Sequence, residues 1–247
     1  IEVPWGKPVL PEMVEKALKG LGKVKAVAVV HGETSTGVIS PVEDIASVVH
    51  DHEALLIVDA VTTLGGMELS MDQWGLDVCY SGSQKCLGAP SGLSPISFGP
   101  RALEVLQNRE TNVQSFYLDL SVLESYWSEK RSYHHTVPIV MFYAFREALR
   151  MIMEEGVTDR WQRHTRNAAA LRAGLRALGL ELFADPDYML DPLTTVLIPD
   201  GVDGANVIGQ LYKEHSIEIG GGLGEVKGKI WRIGLMGESC NSSNVLS

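Results

Sequence analysis

The sequence has few cysteines and no long apolar run. Cys79, Cys86 and Cys240 are scattered over 247 residues without the paired spacing of a zinc site or a disulfide framework. No stretch reaches the about 18 consecutive apolar residues that a membrane helix needs, and residues 1–8 lack the basic and apolar regions of a secretory signal. We therefore expect a protein without a membrane partner in a reducing compartment, with the cytoplasm favoured and the peroxisome and mitochondrion left open.

Positive charge and several well-known motifs are also lacking. The formal net charge of −10 at pH 7 is spread along the chain, which opposes binding to nucleic acid and to anionic membranes. The glycine run 220–224 fits no GxGxxG register and is followed by no GK[ST], and no HExxH occurs. We predict no nucleic-acid partner and interpret 220–224 as a flexible loop.

The two ends of the sequence look incomplete. The chain begins at Ile1 without a methionine, and it stops shortly after Asn241, in a Ser-Ser-Asn run that commonly caps a helix. We expect a fragment of a longer protein, in which the helix after Asn241 is cut short.

The first half of the chain has the alternating pattern of an α/β fold. Apolar residues make up 45% of the sequence, which is enough for a buried core in one large or two modest domains. Strand and helix patterns alternate, which is typical of a mostly parallel sheet with helical crossovers. A Gly- and Thr-rich loop is predicted over 31–40, and a helix over 41–52 is predicted to be capped by Ser40 and to begin at Pro41. The predicted strands are 23–30, 54–59, 77–81 and 93–98.

The second half has longer helical patterns and then a smaller α+β pattern. The predicted helices are 138–155, 158–178 and 204–215. The predicted strands are 193–198, 217–219 and 229–233. Because the pattern changes near 145–156, we expect a large domain over 1–145 and a small C-terminal domain over 146–247.

Polar groups follow three of the predicted strands. His31, Asp59 and the run 81–85 lie at carboxyl ends of strands, where ligands bind in parallel sheets. Lys85 can be a solvated surface charge, or it can form a Schiff base if its loop is rigid and excludes water. Asp59 ends an apolar strand, where a carboxylate is costly unless it is paired; it can cap a turn, bind a metal or hold a ring nitrogen. In pyridoxal enzymes an acid keeps the pyridinium nitrogen protonated, so the two residues together favour a pyridoxal phosphate (PLP) site.

Several motifs taken together resemble one enzyme family. They are Val30-His-Gly-Glu-Thr-Ser-Thr-Gly37, Leu56-Ile-Val-Asp-Ala-Val61, Leu64-Gly-Gly66, Tyr80-Ser-Gly-Ser-Gln-Lys85, Ala89-Pro90 and Ser132-Tyr-His-His-Thr136. Their order, through nearly the whole chain, resembles that of the class V PLP-dependent aminotransferases, and most of all the alanine–glyoxylate / serine–pyruvate group. The resemblance implies a fold-type I PLP transferase large domain, with a mostly parallel sheet and helices, followed by a smaller α+β C-terminal domain.

The resemblance also implies roles for single residues. Lys85 would carry PLP as a Schiff base and move the substrate proton, and Asp59 would pair with the ring nitrogen. The other implied cofactor contacts are Val61 on a ring face, Gln84 at the phosphate, Thr34 near the phenolic oxygen, and Tyr133 and Thr136 at the phosphate of the neighbouring subunit. Serine is more usual at the position of Thr34. Contacts across subunits imply a homodimer with shared active sites.

Two of these assignments have structural alternatives. The run 133–136 could be a polar loop or a metal pair, but two adjacent histidines rarely chelate one ion, so we predict no metal. Arg232 lies in an apolar strand, where an arginine is costly unless it meets an anion. Its planar fork suits a carboxylate, and the resemblance implies that it binds the substrate α-carboxylate; a structural salt bridge is the alternative.

The implied reaction is ping-pong transamination. Alanine or serine would be the amino donor and glyoxylate or pyruvate the acceptor, with ureidoglycine and aminoethylphosphonate partners open. The alternatives are another class V activity, such as a cysteine desulfurase or a lyase, or an inactive fragment or binding module. A desulfurase needs a mobile nucleophilic cysteine, and the sequence around Cys240 lacks the expected pattern. The family has a segment ahead of Ile1, with a phosphate-binding loop at a helix N-terminus and an aromatic that stacks on the ring, and a last helix beyond Ser247. We therefore expect this chain alone to bind PLP poorly.

Overall fold

The computed structural model describes residues 1–247, which form helices and short strands joined by turns and irregular segments. The α-helices are α1 (Pro11–Leu21), α2 (Val42–Asp51), α3 (Pro100–Gln107), α4 (Leu120–Trp127), α5 (Ile139–Glu155), α6 (Val157–Ala177), α7 (Gly204–His215) and α8 (Ser242–Leu246). The strands are β1 (Ala26–Val30), β2 (Gly32–Glu33), β3 (Val38–Ile39), β4 (Leu55–Asp59), β5 (Val78–Tyr80), β6 (Ile96–Phe98), β7 (Leu193–Leu197), β8 (Gly220–Gly221) and β9 (Ile230–Gly234). None of the helices combines the length and the apolar character needed to cross a membrane.

The main sheet has four strands in the order β1-β4-β5-β6. Strands β1, β4 and β5 are parallel, whereas β6 pairs antiparallel with β5. Strand β6 runs antiparallel because of the connection that precedes it. Parallel pairing requires a crossover that is usually helical, and no helix lies between Tyr80 and Ile96. The predicted mostly parallel sheet is therefore present, with its fourth strand reversed.

The three parallel strands end level with one another. Val30 lies opposite Asp59, and Asp59 lies opposite Tyr80. Because side chains of opposed residues project from the same face of a sheet, this register brings the predicted polar groups to one edge. The fold thereby creates the candidate site.

The core of this part lies between the sheet and the helices α1 and α2. In α2 the buried residues are Val42, Ile45, Ala46 and Val49, the i, i+3, i+4, i+7 spacing of one helical face. They pack with Leu56 and Val58 of β4 in one apolar cluster. Each buried Val, Leu or Ile side chain stabilises the fold by about 1.5–3 kcal/mol. This packing fixes β4, and with it the position of Asp59.

Strand β1 is the outer strand of the sheet, and an apolar cavity of about 520 Å³ lies beside it. Trp5, Val9 and Leu18 form part of the cavity wall, together with residues of β1. Neither Asp59 nor Lys85 lines this cavity. The candidate site therefore lies at the strand ends and is separate from this cavity.

A second sheet of three antiparallel strands, in the order β7-β9-β8, lies in the C-terminal part. The predicted loop 31–40 contains an antiparallel ladder of β2 and β3, and it is bonded to the C-terminal part through the main chain. The amide of Ile39 donates to the carbonyl of Tyr188, and the amide of Leu190 donates to the carbonyl of Gly37, both at 2.9 Å. The predicted division at residue 145 falls inside α5 and stays a prediction.

Three local predictions are wrong. Residues 217–219 form no strand; the edge strand is β8, so part of the glycine run 220–224 pairs with β9 and is not a flexible loop. Ser40 does not cap α2, because the N-cap position is Pro41 and no side chain caps the helix. By contrast, Asn241 does cap α8, since its side chain accepts from the amide of Asn244 at 2.9 Å.

Candidate active site

Asp59 lies at the end of β4 with both carboxylate oxygens hydrogen-bonded. Oδ1 accepts from the amide of Val61 and Oδ2 accepts from the hydroxyl of Tyr80, each at 2.9 Å. The hydrogen bond from Val61 closes a local turn, as the turn-capping alternative predicted. It occupies only one of the two carboxylate oxygens. A carboxylate has about four lone-pair sites, so Asp59 retains capacity for a further donor. No cluster of three or more His, Cys, Asp or Glu side chains that could hold a metal occurs in the chain.

Tyr80 was not among the predicted site residues, although it contacts one of them directly. It ends β5 opposite Asp59 and is half-buried. The hydrogen bond to Asp59, and then burial, raise the pKa of Tyr80 above its ordinary value. The available signal was its position: a tyrosine directly before the loop that carries Lys85, at the end of a strand parallel to that of Asp59.

The loop that carries Lys85 is fixed by buried serines. The hydroxyl of Ser81 donates to the carbonyl of Ala60 at 3.1 Å. Ser83 is fully buried; its hydroxyl donates to the carbonyl of Pro90 at 2.6 Å and accepts from the amide of Leu93 at 3.3 Å. Both hydroxyl protons are donated to main-chain carbonyls, so neither hydroxyl has a proton left for a ligand, and both hold the loop in place. This is the mount that a Schiff-base lysine requires.

Lys85 is half-buried, and its amine takes part in no hydrogen bond or ion pair of the chain. The next residue, Cys86, is buried, donates to the carbonyl of Thr62 at 3.1 Å, and has a pKa raised to about 12 by burial. Gln84 exposes its side-chain amide on the same loop. An unpaired primary amine, a strand-end carboxylate and a free amide are the groups that PLP requires, so the residues fit this cofactor.

His31 lies at the end of β1, beside Asp59, as a structural group. Its amide donates to the carbonyl of Asp59 at 2.9 Å, and its Nδ1 lies 2.9 Å from the hydroxyl oxygen of Thr63. The ring of Trp74 packs edge-on at a centroid distance of 5.9 Å. Burial lowers the pKa of His31 to about 4, so the imidazole is neutral at neutral pH. It supports the segment after Asp59 and carries no charge into the site.

Thr34 and Arg232 are two predicted site residues that lie far apart in the sequence, and they are in contact. Nη1 of Arg232 donates to the carbonyl of Thr34 at 3.1 Å, and Nε donates to the carbonyl of Gly221 at 2.7 Å. Gly220 leaves room for the guanidinium, because a Cβ there would lie 3.3 Å from Nη2. Arg232 therefore meets carbonyl oxygens and forms no ion pair, which removes the salt-bridge alternative within this chain.

Tyr133 and Thr136 form a hydrogen-bonded pair of their own. The two hydroxyls are 3.0 Å apart, and Tyr133 is 75% exposed. Between them, His134 stacks on Phe116 at 4.5 Å and its Nδ1 lies 2.7 Å from Nδ1 of His135. No hydrogen bond joins either hydroxyl to Asp59 or Lys85.

A buried arginine that sequence reasoning missed holds the rear of the Lys85 loop. Arg160 of α6 is 1% exposed. Its Nη2 and Nε donate to the carbonyls of Cys86 and Gly65, both at 3.1 Å. Its Nη1 meets Glu155 at 2.7 Å and Glu238 at 2.8 Å. We name Arg160 with these four partners the Arg160 cluster; it links the turn after Lys85 to the segment that follows β9.

Known proteins resemble this chain in both sequence and structure. The model of the family described as "Aminotransferase class-V" matches residues 6–227. The (S)-ureidoglycine–glyoxylate transaminase of Bacillus subtilis (strain 168) is 43% identical over 264 residues, with 100% of this chain and 63% of that protein covered. The alanine–glyoxylate aminotransferase of Callithrix jacchus is 43% identical over 248 residues, with 98% and 59% covered.

A solved structure has the same fold. The crystal structure of alanine–glyoxylate aminotransferase from Nostoc sp. superposes with a TM-score of 0.95 at 47% identity, with 99% of this chain and 65% of that chain covered. The similarity confirms the predicted α/β fold of a PLP transferase. The chain spans 63% and 59% of the length of the two curated relatives. Because the family model matches residues 6–227, most of the sequence, the chain belongs to the class-V aminotransferase family.

Proposed function

We propose that the protein containing this chain catalyses PLP-dependent transamination between a small amino acid, alanine or serine, and glyoxylate or pyruvate. The observation that carries the proposal is the unpaired amine of Lys85 on a rigid loop, at the same sheet edge as the carboxylate of Asp59. Both curated relatives have glyoxylate in their names, which supports glyoxylate as the acceptor. Ureidoglycine stays a further possible donor on the same ground.

PLP supplies, when bound, an aldehyde that links to an amine and a ring that accepts electrons. Asp59 would hold the ring nitrogen, and Val61, which is half-buried two residues on, would contact a ring face. Gln84 would hold the phosphate with its exposed amide, and Thr34 would lie near the phenolic oxygen. Asp59 ends β4 and Val61 follows it, whereas Gln84 and Thr34 lie in the segments that follow β5 and β1.

The chemical work of the chain would be proton movement and charge pairing. The amine of Lys85 would take the α-proton of the substrate as a general base and deliver it to the aldehyde-derived carbon of the cofactor; in the second half-reaction it would move a proton in the opposite direction. Arg232 would bind the substrate α-carboxylate. Two of its nitrogens already hold carbonyl oxygens, which orients the guanidinium and leaves Nη2 for a carboxylate oxygen.

A homodimer with shared sites is part of the proposal. Large apolar or aromatic side chains that are more than half exposed lie close together in the sequence, and we name them the aromatic patch: Phe116, Tyr117, Leu118, Trp127, Tyr133, Ile139, Val140 and Tyr143. Exposed apolar patches of this kind mark protein–protein interfaces. Because Tyr133 and Thr136 lie within this stretch, a second copy on the patch would receive both hydroxyls.

The desulfurase alternative finds no support in the position of Cys240. This residue is fully buried, and burial raises the pKa of its thiol. Its carbonyl accepts hydrogen bonds from Arg163 and Asn167. A thiol held in this way is neither mobile nor readily ionised. The three cysteines are all buried and unpaired, which is compatible with the cytoplasm as the proposed compartment, with peroxisome and mitochondrion open.

The proposed function is tested by locating the cofactor. The protein containing this sequence is incubated with PLP, reduced with borohydride and mapped by mass spectrometry; we expect the label on Lys85. Lys85→Ala should lose both the label and transamination of alanine or serine, whereas Lys213→Ala, an exposed lysine on α7, should keep both. Full transamination in Lys85→Ala would contradict the proposal. Titration with each amino donor and with glyoxylate or pyruvate then identifies the substrate pair.

A further inference from the structure

We propose that Tyr80 is a positioning residue for Asp59: its hydroxyl fixes the orientation of the carboxylate that faces the ring nitrogen of the bound cofactor. The inference rests on the proposed function, because it assigns a role within the same PLP site. None of the motif-based roles includes Tyr80, and the evidence for it is the geometry of two neighbouring strand ends.

The first step is the register. Asp59 and Tyr80 are opposed residues at the ends of β4 and β5, and their side chains meet through a hydrogen bond of 2.9 Å from the phenol to Oδ2. On the other oxygen, the amide of Val61 donates to Oδ1 at 2.9 Å. The carboxylate therefore has one protein donor on each oxygen.

The second step is that the phenol restricts rotation of the Asp59 carboxylate. The terminal torsion of an aspartate is broad and two-fold, so the single bond from Val61 leaves the carboxylate plane free to rotate. A second donor on the other oxygen fixes that plane. Hydrogen bonds to an ionised acceptor are stronger than neutral ones, and the raised pKa of Tyr80 has this hydrogen bond as its largest cause. A fixed plane presents the remaining lone pairs of Asp59 in one direction, toward the ring nitrogen.

The third step is that Tyr80 need not touch the substrate to matter. Its hydroxyl is committed to Asp59, while proton transfer belongs to Lys85 and carboxylate binding to Arg232. Loss of the hydroxyl should therefore weaken the hold on the cofactor ring and slow the chemical step. It should leave the apparent affinity for the amino donor unchanged.

The experiment compares Tyr80→Phe with the unchanged protein. We expect PLP affinity, measured by absorbance titration, to fall by about tenfold, since one charge-assisted hydrogen bond is lost. We expect kcat for the amino donor to fall with KM unchanged. Tyr212→Phe is the matched control, because Tyr212 is 62% exposed on α7, so both quantities should stay at their original values.

A double-mutant cycle shows whether Tyr80 acts through Asp59. In the Asp59→Asn background, Tyr80→Phe should change PLP affinity by less than twofold, because the carboxylate that it orients is gone. An equal tenfold loss in both backgrounds would overturn the inference, and so would unchanged affinity in the single variant. Circular dichroism and thermal unfolding of each variant identify any that fail to fold.

A cofactor-free measurement separates this inference from the proposed function. In protein labelled with 13C at tyrosine Cζ, the resonance of Tyr80 is assigned by its loss in Tyr80→Phe and is followed with pH. Asp59→Asn should lower the pKa of Tyr80, and an unchanged value would show that the contact does not exist, even if PLP binds normally. If the unchanged protein takes up no PLP while the Tyr80 pKa does respond to Asp59→Asn, the proposed function fails, and the role at the cofactor fails with it.

Discussion

His31 shows how a single residue can link the site to the pH dependence of stability. The imidazole is 3% exposed and is paired with Thr63. Burial alone lowers its pKa from 6.5 to about 4. The neutral form is therefore the native form, and the residue resists protonation until the pH is well below its usual titration range.

The consequence is a loss of stability in mild acid. Between pH 6.5 and 4 the unfolded chain binds a proton at His31 that the folded chain does not bind, so the free energy of unfolding falls as the pH falls through this window. One pKa unit corresponds to about 1.4 kcal/mol, so the full effect of the shift from 6.5 to about 4 is at most about 3.5 kcal/mol. His31→Gln should make urea unfolding less dependent on pH between 7 and 5, with a remaining slope from His164, whose pKa burial also lowers. His215 lies on the exposed end of α7, so His215→Gln should leave the pH dependence of unfolding unchanged. Equal pH dependence in the unchanged protein, His31→Gln and His215→Gln would refute the role of His31.

The sequence located the strand ends that carry two candidate site residues, whose roles stay predictions. Asp59 and Lys85 follow apolar runs, and those runs did become β4 and β5. The hydroxyl of Tyr80 could not be placed, because its direction depends on the alignment of β4 with β5, a pairing between distant segments. Arg160 was missed for the same reason: its partners Gly65 and Glu238 are separated by more than 170 positions.

At the scale of elements, the N-terminal turn of α6 supports the Lys85 loop from behind. The Arg160 cluster holds the carbonyls of Cys86 and Gly65, so the turn after Lys85 is tied to α6 and to the segment around Glu238. The carboxylate of Glu155 completes the cluster; hydrogen bonding first to Arg163 and then to Arg160 lowers its pKa to about 2. A helix end thereby fixes the backbone that presents the proposed Schiff-base amine.

Arg160→Lys tests this support. Lysine keeps the charge but cannot reach two carbonyls and two carboxylates, so we expect the free energy of unfolding to fall by about 2–4 kcal/mol and PLP affinity to fall as well. Arg172→Lys is the matched control: Arg172 is a largely buried arginine of α6, bonded to Asp191 at 3.1 Å and to the carbonyl of Leu190 at 2.8 Å. It should lose stability without losing PLP affinity. Urea unfolding and absorbance titration measure the two effects, and equal PLP affinities for the two variants would mean that Arg160 has no special role at the Lys85 loop.

The elements that periodicity identified are the long ones. Helices α5, α6 and α7 lie within a residue or so of the predicted ranges. The short edge strand β8 was missed, because two glycines carry no apolar signal and pair only through their main chain with β9. Helices α1 and α3 were not predicted, although each begins with a proline at its first position, which is a usable start signal.

At the scale of the whole molecule, the exposed aromatic patch is the candidate subunit interface. Val140 is 80% and Tyr143 is 70% exposed on α5, which begins shortly after Tyr133 and Thr136 in the sequence. Burial of these side chains against a second copy would remove apolar surface from water and complete the proposed phosphate site of that copy.

Val140→Asp should therefore shift the proposed dimer toward monomer and reduce the proposed transamination together with dimerisation. A carboxylate buried in an apolar interface is strongly unfavourable unless it is paired. Sedimentation velocity at several concentrations measures the association, and activity is followed in the same samples. Leu178→Asp is the control, because Leu178 is 78% exposed and lies outside the patch. A dimer that survives in Val140→Asp would exclude the patch as the interface.

The class of fold was predictable because alternating strand and helix patterns are local. The placement of the two sheets relative to each other was not, since residues 31–40 contribute to it through main-chain bonds to distant residues. The sequence of this segment indicates only a loop rich in glycine and threonine. Its pairing partners, Tyr188 and Leu190, lie about 150 positions away in the chain, and no local pattern reveals them.

That segment has a practical meaning for recombining relatives of this chain. The hydroxyl of Thr195 donates to the carbonyl of Thr36 at 2.7 Å, in addition to the bonds that Thr34, Gly37 and Ile39 form with the C-terminal part. A chimera that takes the C-terminal sheet from another family member receives a sheet that fits that member's own version of residues 31–40. If residues 31–40 are exchanged together with the sheet, both sides of this contact come from one parent. If only the sheet is exchanged, the two sides come from different parents.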